Sequence, residues 1–180
     1  MTTYAAPRRP LVAIPAWNES GSVADVVAHV KAQVPEATVL VVNDGSTDNT
    51  AQKAQEAGAI TLSLPFNVGV GGAMRTAFLY AQREGYDALV QVDADGQHNP
   101  EEIRSLLDGL TQADIVVGTR FHEGSTYHVR GPRKWAMDML SGALSRMAKT
   151  QITDTTSGFR SAGPRAIDLF ALAYPAEYLG

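Results

Sequence analysis

Short apolar runs rich in β-branched residues recur along the chain at Leu11–Ile14, Thr38–Val42, Ala59–Leu64, Ala88–Val92 and Asp114–Gly118. Segments with helical spacing lie between them. Val23, Val26, Val27, Val30 and Val34 follow the i, i+3, i+4, i+7 pattern of one helix face, and Met74, Ala77, Phe78 and Ala81 repeat it. Ile103, Leu106, Leu107 and Leu110 form a third such set. Strands separated by single helices predict βαβ units and an α/β fold with a mainly parallel central sheet flanked by helices. The strand runs lack period-2 alternation, as expected when helices cover both faces of the sheet. After Gly118 the alternation stops. A polar, glycine-rich stretch (Phe121–Gly131) leads into a predicted helix over Lys134–Lys149, and a short apolar helix over Pro164–Leu172 follows a loop.

Residues 1–10 are expected to form a flexible polar arm, and 11–180 one domain. A chain of 180 residues buries roughly 70% of the surface it exposes when unfolded, enough for a full core. The absence of cysteine excludes disulfide scaffolds, thiolate zinc sites and thiol nucleophiles. A net charge of −4 argues against sequence-nonspecific nucleic-acid binding, so any anionic ligand must meet local positive charge or a metal. No run approaches a membrane span, and Met1–Pro10 lacks the apolar centre of a signal peptide. The stretch Tyr174–Gly180 has no charged tail, an ending expected of a domain cut from a longer protein.

In an open parallel sheet, ligands bind beyond the carboxyl ends of the strands. That rule selects Pro15–Ser20, Asn43–Asp48, Pro65–Gly72, Asp93–His98 and Thr119–Phe121, each rich in Asn, Asp, Glu, Gly or Arg. The most telling is Asp93-Ala94-Asp95-Gly96-Gln97-His98, where two carboxylates at i and i+2 end a buried strand. Such a pair suits Mg²⁺ or Mn²⁺, hard cations that complete their shell with substrate phosphates; the carbonyl oxygen of Gln97 offers a further ligand. An EF-hand is excluded, because its glycine and glutamate positions hold His98 and Arg104. A phosphoaspartate nucleophile of the Asp-x-Asp type usually follows the first strand, whereas this pair follows the fourth. A simple helix-opening turn before Asn99-Pro100-Glu101-Glu102 is the competing reading.

The other edges carry complementary chemistry. Asp44 can hydrogen-bond a ribose or base edge, while Ser46, Thr47 and Asp48 fit a helix cap. Trp17 can stack on a base and Glu19 can accept from an amine or a sugar hydroxyl, although Glu19 and Ser20 also suit a helix start. The glycine-rich Asn67–Arg75 loop matches neither a dinucleotide fingerprint nor a P-loop, yet its helix N-terminus can receive a phosphate. Arg120, together with Arg130, Arg133 and Lys134, concentrates positive charge suited to an anionic partner or to a solvated face. Asp154, within a hydroxyl-rich stretch, fits a base, a positioning carboxylate or a cap.

Six blocks in order resemble the inverting glycosyltransferases of family 2, and especially the dolichyl-phosphate mannose synthase-like group. They are Ile-Pro-Ala-Trp-Asn-Glu (14–19), Val-Asn-Asp-Gly-Ser-Thr-Asp (42–48), Asn-x-Gly-x-Gly-Gly-Ala (67–73), Asp-Ala-Asp-Gly-Gln-His (93–98), Gly-Thr-Arg-Phe (118–121) and Ser-Gly-Phe-Arg (157–160). The resemblance implies a GT-A nucleotide-diphospho-sugar transferase fold. It implies that Pro15, Trp17, Glu19, Val42 and Asp44 hold the nucleoside and that Asp93, Ala94 and Asp95 face ribose, diphosphate and sugar. Asp95 and Gln97, with Asp93 nearby, would hold the Mg²⁺ or Mn²⁺. Arg120 and Arg133 would meet an acceptor phosphate, and Asp154 would act as base if the acceptor were a hydroxyl. Departures are Trp17 where tyrosine is usual, Asn43 for the commoner first Asp of an Asp-Asp pair, and no basic residue near Val70.

The implied activity is metal-dependent transfer of a hexose from a GDP- or UDP-sugar to a polyprenyl- or dolichyl-phosphate-type acceptor. A hydroxyl acceptor and a non-catalytic nucleotide-sugar-binding subunit are the alternatives. The implied partners are the donor, a lipid phosphate, and a membrane surface or membrane subunit at a cytoplasmic face. No nucleic acid is expected, and a homo-oligomer is left open.

Overall fold

The computed structural model describes residues 5–96, 100–118 and 159–174. Among these residues six strands form one sheet: β1 (Pro10–Ala16), β2 (Thr38–Asn43), β3 (Ile60–Ser63), β4 (Ala88–Gln91), β5 (Ile115–Val117) and β6 (Arg160–Ala162). Their order across the sheet is β3-β2-β1-β4-β6-β5. The β1–β2, β2–β3 and β1–β4 pairs are parallel, whereas β6 runs antiparallel to both β4 and β5. Five strands therefore point one way and one is reversed. The mainly parallel α/β expectation holds, and β6 is an addition, a strand in a stretch whose sequence predicts a loop.

The helices are α1 (Val23–Gln33), α2 (Thr50–Glu56), α3 (Gly69–Glu84), α4 (Ile103–Gly109, after a 3₁₀ turn at Pro100–Glu102) and α5 (Pro164–Ala173). The valine face of α1 and the Ile103, Leu106 and Leu107 face of α4 pack with Val12, Ile14, Val41, Val90 and Val92 on one side of the sheet. On the other side, Met74, Ala77 and Phe78 of α3 pack with Ile167 and Phe170 of α5 over Leu11, Leu40, Val42 and Leu89. Each central strand thus feeds alternate residues to two apolar layers, which removes any polar face and explains the missing period-2 pattern. A buried aromatic trio of Phe78, Phe170 and Tyr174 closes the second layer, with ring centroids 5.0–5.4 Å apart.

α3 ends at Gly85, in the left-handed conformation (φ 71°) that glycine adopts without steric cost. Ahead of β1, the backbone N–H groups of Arg8 and Arg9 donate to the Asp87 carboxylate at 2.7 and 2.8 Å. The Arg9 guanidinium lies over the Tyr86 ring, 5.1 Å from its centroid. The predicted helix over 134–149 and the stretch 121–131 lie outside the described residues.

Candidate nucleotide-sugar crevice

The chain runs outward from β1 through β2 to β3, then returns to place β4 on the other side of β1. That reversal makes the gap beyond the carboxyl ends of β1 and β4 the ligand crevice expected of such a sheet. One residue helps to open it. Val92 N–H donates to the Ala13 carbonyl at 3.0 Å, the last rung between these strands. In a parallel ladder the next rung would use the N–H at position 15. Pro15 has none, so the pairing stops and the two strands part.

Strand register assembles the predicted residues in a row. Pro15 lies opposite Val42 and Ala16 opposite Asn43, and Asp44 N–H donates to the Ala16 carbonyl at 2.8 Å. Ala13 and Gln91 are the last paired residues of β1 and β4, and Pro15 and Asp93 each follow two residues on, on either side of the gap. Asp44, Pro15 and Asp93 therefore occupy adjacent strand ends, with Val42 just beneath.

The loops after β1 and β2 are knitted together. Three successive N–H groups in the first loop, at Asn18, Glu19 and Ser20, donate to Ser46 Oγ (2.9 Å), Thr50 Oγ1 (2.9 Å) and Asp48 Oδ2 (3.1 Å) in the second. Asn18 Oδ1 returns the contact by accepting from Thr47 N–H at 2.9 Å. Asn18 holds a left-handed backbone (φ 57°), a conformation asparagine tolerates better than other non-glycine residues. Lys53 Nζ donates to the Ser20 carbonyl at 2.7 Å, and Ser22 Oγ donates to Glu19 Oε2 at 2.8 Å. Trp17, at the root of this clasp, stays 55% exposed at the mouth of the crevice. Asp48 does more than cap: Oδ1 accepts from Thr50 N–H and from the Thr50 hydroxyl, while Oδ2 crosses to Ser20. The Thr50 hydroxyl, followed by the contacts to Ser20, outweighs desolvation and holds the Asp48 carboxyl down at about 2.

Asp44 is buried, 3% exposed, and its Oδ1 accepts from Val68 N–H at 2.8 Å. It thereby ties the β2 edge to the glycine-rich turn opening α3. Asn43 is buried beside it, donating from Nδ2 to Ser63 Oγ (3.1 Å) and accepting Ser46 N–H on Oδ1 (3.2 Å). An amide donates and accepts at once where an aspartate would only accept, which gives a local reason for Asn at this position. Gly45, at φ 67°, lets the turn press against the β3–α3 loop: a Cβ there would lie 2.5 Å from the Phe66 carbonyl carbon.

Beyond β4, Asp93 is half-buried, Ala94 is packed into the core and Asp95 is exposed before Gly96 turns at φ 76°. Two oxygen donors bracketing a buried alanine fit a hard divalent cation that takes one or two protein carboxylates and fills its shell with phosphates. Among the described residues no group of three or more His, Cys, Asp or Glu side chains lies together. Gln97, Arg120, Arg133 and Asp154 lie outside the described residues.

Sequence reasoning missed Arg160 as an individual residue. In β6 it stands opposite Gln91, and its Nε and Nη2 both donate to Gln91 Oε1 at 3.1 and 3.0 Å. The signal was present in Ser-Gly-Phe-Arg, but only the reversed strand shows that this arginine adjoins the acidic edge.

Comparison with known proteins gives the family and the fold. Residues 11–171 match the model of glycosyl transferase family 2. An undecaprenyl-phosphate mannosyltransferase from Micrococcus luteus is 36% identical over 174 residues, covering 91% of this chain and 71% of that protein. A polyprenol monophosphomannose synthase from Mycolicibacterium smegmatis is 34% identical, covering 86% of this chain and 61% of that one. Among solved structures, glucosyl-3-phosphoglycerate synthase from Mycobacterium tuberculosis, in complex with Mn²⁺, UDP and glucosyl-3-phosphoglycerate, superposes with a TM-score of 0.61 at 23% identity. That alignment covers 87% of this chain and 57% of the synthase and bears on the fold alone. With the family match spanning nearly the whole chain, this protein belongs to glycosyl transferase family 2.

Proposed function

We propose that this domain transfers a hexose, with mannose the first to test, from a nucleotide-diphosphate sugar to a polyprenyl-phosphate-type acceptor with inversion at the sugar carbon. The observation that carries the reading is the row of Asp44, Pro15 and Asp93 on three adjacent strand ends, with Asp95 two residues on. The names of the Micrococcus and Mycolicibacterium relatives supply the acceptor and sugar class.

In this reading Trp17 stacks on the base, while Glu19, Val42 and Asp44 frame the nucleoside. Ala94 keeps Asp93 and Asp95 turned to the diphosphate and sugar. Asp93 and Asp95, with Gln97, would hold Mg²⁺ or Mn²⁺, which when bound neutralises charge growing on the departing diphosphate. An acceptor phosphate oxygen forms its bond to the sugar carbon as the bond to the nucleoside diphosphate breaks, and the electron pair leaves with the diphosphate. A phosphate is already an oxyanion at neutral pH, so no proton need be removed. Arg120 and Arg133 are then assigned to the acceptor phosphate. Asp154 is left a positioning carboxylate, becoming the base only if the acceptor is a hydroxyl. No helix among the described residues is long and apolar enough to cross a membrane.

The test is transfer of radiolabelled hexose from GDP- and UDP-sugars to polyprenyl phosphate, with Mn²⁺ and then with chelator. Product that forms only with the cation supports the reading. Transfer to a glycan hydroxyl and not to the lipid would replace the acceptor. Equal transfer in chelator would remove the metal.

A further inference from the structure

Charged side chains inside a protein are normally matched, because an unmatched charge away from water is costly. Two solvent-exposed arginines here follow that habit although they need it least: Arg104 pairs with Glu36 at 2.9 Å and Arg165 with Asp114 at 3.4 Å. Arg160 is half-buried, and every partner it has among the described residues is neutral. Nε and Nη2 donate to the amide oxygen of Gln91, Nη2 also donates to the Tyr174 hydroxyl, and the guanidinium lies 5.6 Å from the centroid of the Tyr174 ring. A guanidinium carries five N–H donors. Those contacts occupy the Nε and Nη2 donors and leave the two on Nη1, with the full positive charge, uncommitted among the described residues.

Its place in the sheet says what that charge faces. Gln91 precedes Asp93 by two residues, a rise of roughly 7 Å along an extended strand. Strand alternation puts both on the α3–α5 side of the sheet, since Val92 and Ala94 pack into the opposite layer. Asp44 shares that side through its bond to Val68 at the start of α3. Across the strand ends the order is therefore Asp44 on the β2 edge, Pro15 in β1, Asp93 after β4 and Arg160 in β6. Strands spaced ~4.8 Å apart put about 14 Å between the first and the last. A nucleoside held at the Asp44–Pro15 end would direct its phosphates, or the acceptor that meets them, toward Arg160. Among the described residues the strand ends carry Glu19, Asp44, Asp93 and Asp95, so a phosphate held there gains from a guanidinium on the β6 side, in addition to Arg120 and Arg133 already assigned to the acceptor.

We propose that Arg160 is a phosphate-binding residue of this crevice, held in place by Gln91 and Tyr174 so that its remaining donors and its charge meet a phosphate of the bound substrates. The assignment rests on the nucleotide-sugar reading above. It names phosphate as the chemistry; the donor diphosphate and the lipid phosphate are its two sources.

The test uses the whole chain with Arg160→Met and Arg160→Lys, each first checked by thermal melting. Calorimetry measures affinity for a nucleoside and for its diphosphate, and the transfer assay gives the KM for polyprenyl phosphate. If the donor is the source, Arg160→Met weakens diphosphate binding roughly 10- to 100-fold while nucleoside affinity stays unchanged, the loss expected for a charge-assisted pair. If the acceptor is the source, the lipid-phosphate KM rises by a similar factor and diphosphate affinity stays. Arg160→Lys, keeping the charge but losing the fork, falls between wild type and Met in either case. Folded variants with unchanged diphosphate affinity and unchanged lipid KM overturn the assignment. Should Arg160→Met fail to fold, Arg160→Lys decides alone, and wild-type values for both ligands overturn it. A wild-type chain that binds neither phosphate ligand brings down the nucleotide-sugar reading itself, an outcome distinct from the loss of Arg160 alone.

Discussion

The loops after β1 and β2 and the acidic turn after β4 border the same crevice, yet they are built on different plans. In the first region, three consecutive backbone N–H groups each find a side-chain oxygen on the neighbouring loop, and buried Asn43 bonds Ser63 and Ser46 while Asp44 Oδ1 accepts from Val68 N–H. In the second, two carboxylates lie across a single buried alanine, and the nearest strand brings a guanidinium held by neutral groups. In the proposed reaction the difference has a physical rationale. A nucleoside keeps its shape and neutrality throughout, so a rigid frame fixed by many short bonds serves it. The diphosphate gains charge as the sugar leaves, so that end needs fixed charges rather than complementary shape.

The largest expected effect lies at the charged end. Asp95→Asn keeps side-chain volume but removes a ligand charge, and transfer should slow on the order of 10²-fold or more. Its melting temperature should stay within a degree or two, because the side chain is exposed and supports no core. Turnover assays beside melting curves check both halves. Near-normal turnover would return Asp93–Asp95 to a simple helix-opening turn.

Two glycines sharpen the contrast, having the same backbone hand but different surroundings. Gly45 (φ 67°) would place a Cβ 2.5 Å from the Phe66 backbone, which cannot move aside cheaply. Gly96 (φ 76°) would place one 3.8 Å from a Val26 methyl, an ordinary contact. Gly96→Ala should therefore cost only the left-handed strain, about 1 kcal/mol. Gly45→Ala should cost that plus a further ~1–3 kcal/mol of overpacking. Denaturant unfolding of both variants measures the gap; equal costs would show that the first loop gives way as readily as the second turn.

Most of this frame was legible in the sequence. Unalternated runs such as Leu11–Ile14 and Thr38–Val42 marked strands covered on both faces, and 3.6-residue spacing marked α1, α3 and α4 because one face of each is buried. The edge residues followed from the rule that ligands sit at carboxyl ends. What escaped were features set by tertiary pairing. Arg160-Ser161-Ala162 is too short and too polar to announce a strand; it becomes one because β4 and β5 leave a gap that a reversed strand fills. Buried Ser161 is tolerated because its hydroxyl donates to the Leu106 carbonyl at 2.9 Å, a contact no local pattern encodes. Asp48 resembled a helix cap for the same reason: its second oxygen reaches Ser20, 28 residues away in sequence.

A smaller effect should separate the two functions of Asp48. Its carboxyl sits at about 2 in the folded protein against an ordinary 3.8, chiefly through the Thr50 hydroxyl. The folded value is the lower one, so the carboxylate's contribution is complete above about pH 5 and is lost as pH falls through 4 toward 2. The stability difference between wild type and Asp48→Asn should thus be flat near neutrality and shrink across that acid window. Urea unfolding at a series of pH values checks this, and a difference independent of pH would mean that the clasp does not use the charge.

The smallest effect tests whether the hydrogen bonding of the rigid region is complete. Among the described residues, Thr61 Oγ1 is the buried side-chain polar atom without a hydrogen-bond partner, in β3 opposite Val41. Asn43, Asp44 and Thr50 in the same region are all satisfied. Thr61→Val preserves the branched shape that suits a strand and removes an oxygen that gains nothing from burial. Stability should be unchanged or rise by up to ~1 kcal/mol, with nucleotide affinity unaltered, as read by urea unfolding and calorimetry. A loss of stability would mean that the hydroxyl has a partner, and that hydrogen bonding between β2 and β3 reaches beyond the Asn43–Ser63 contact.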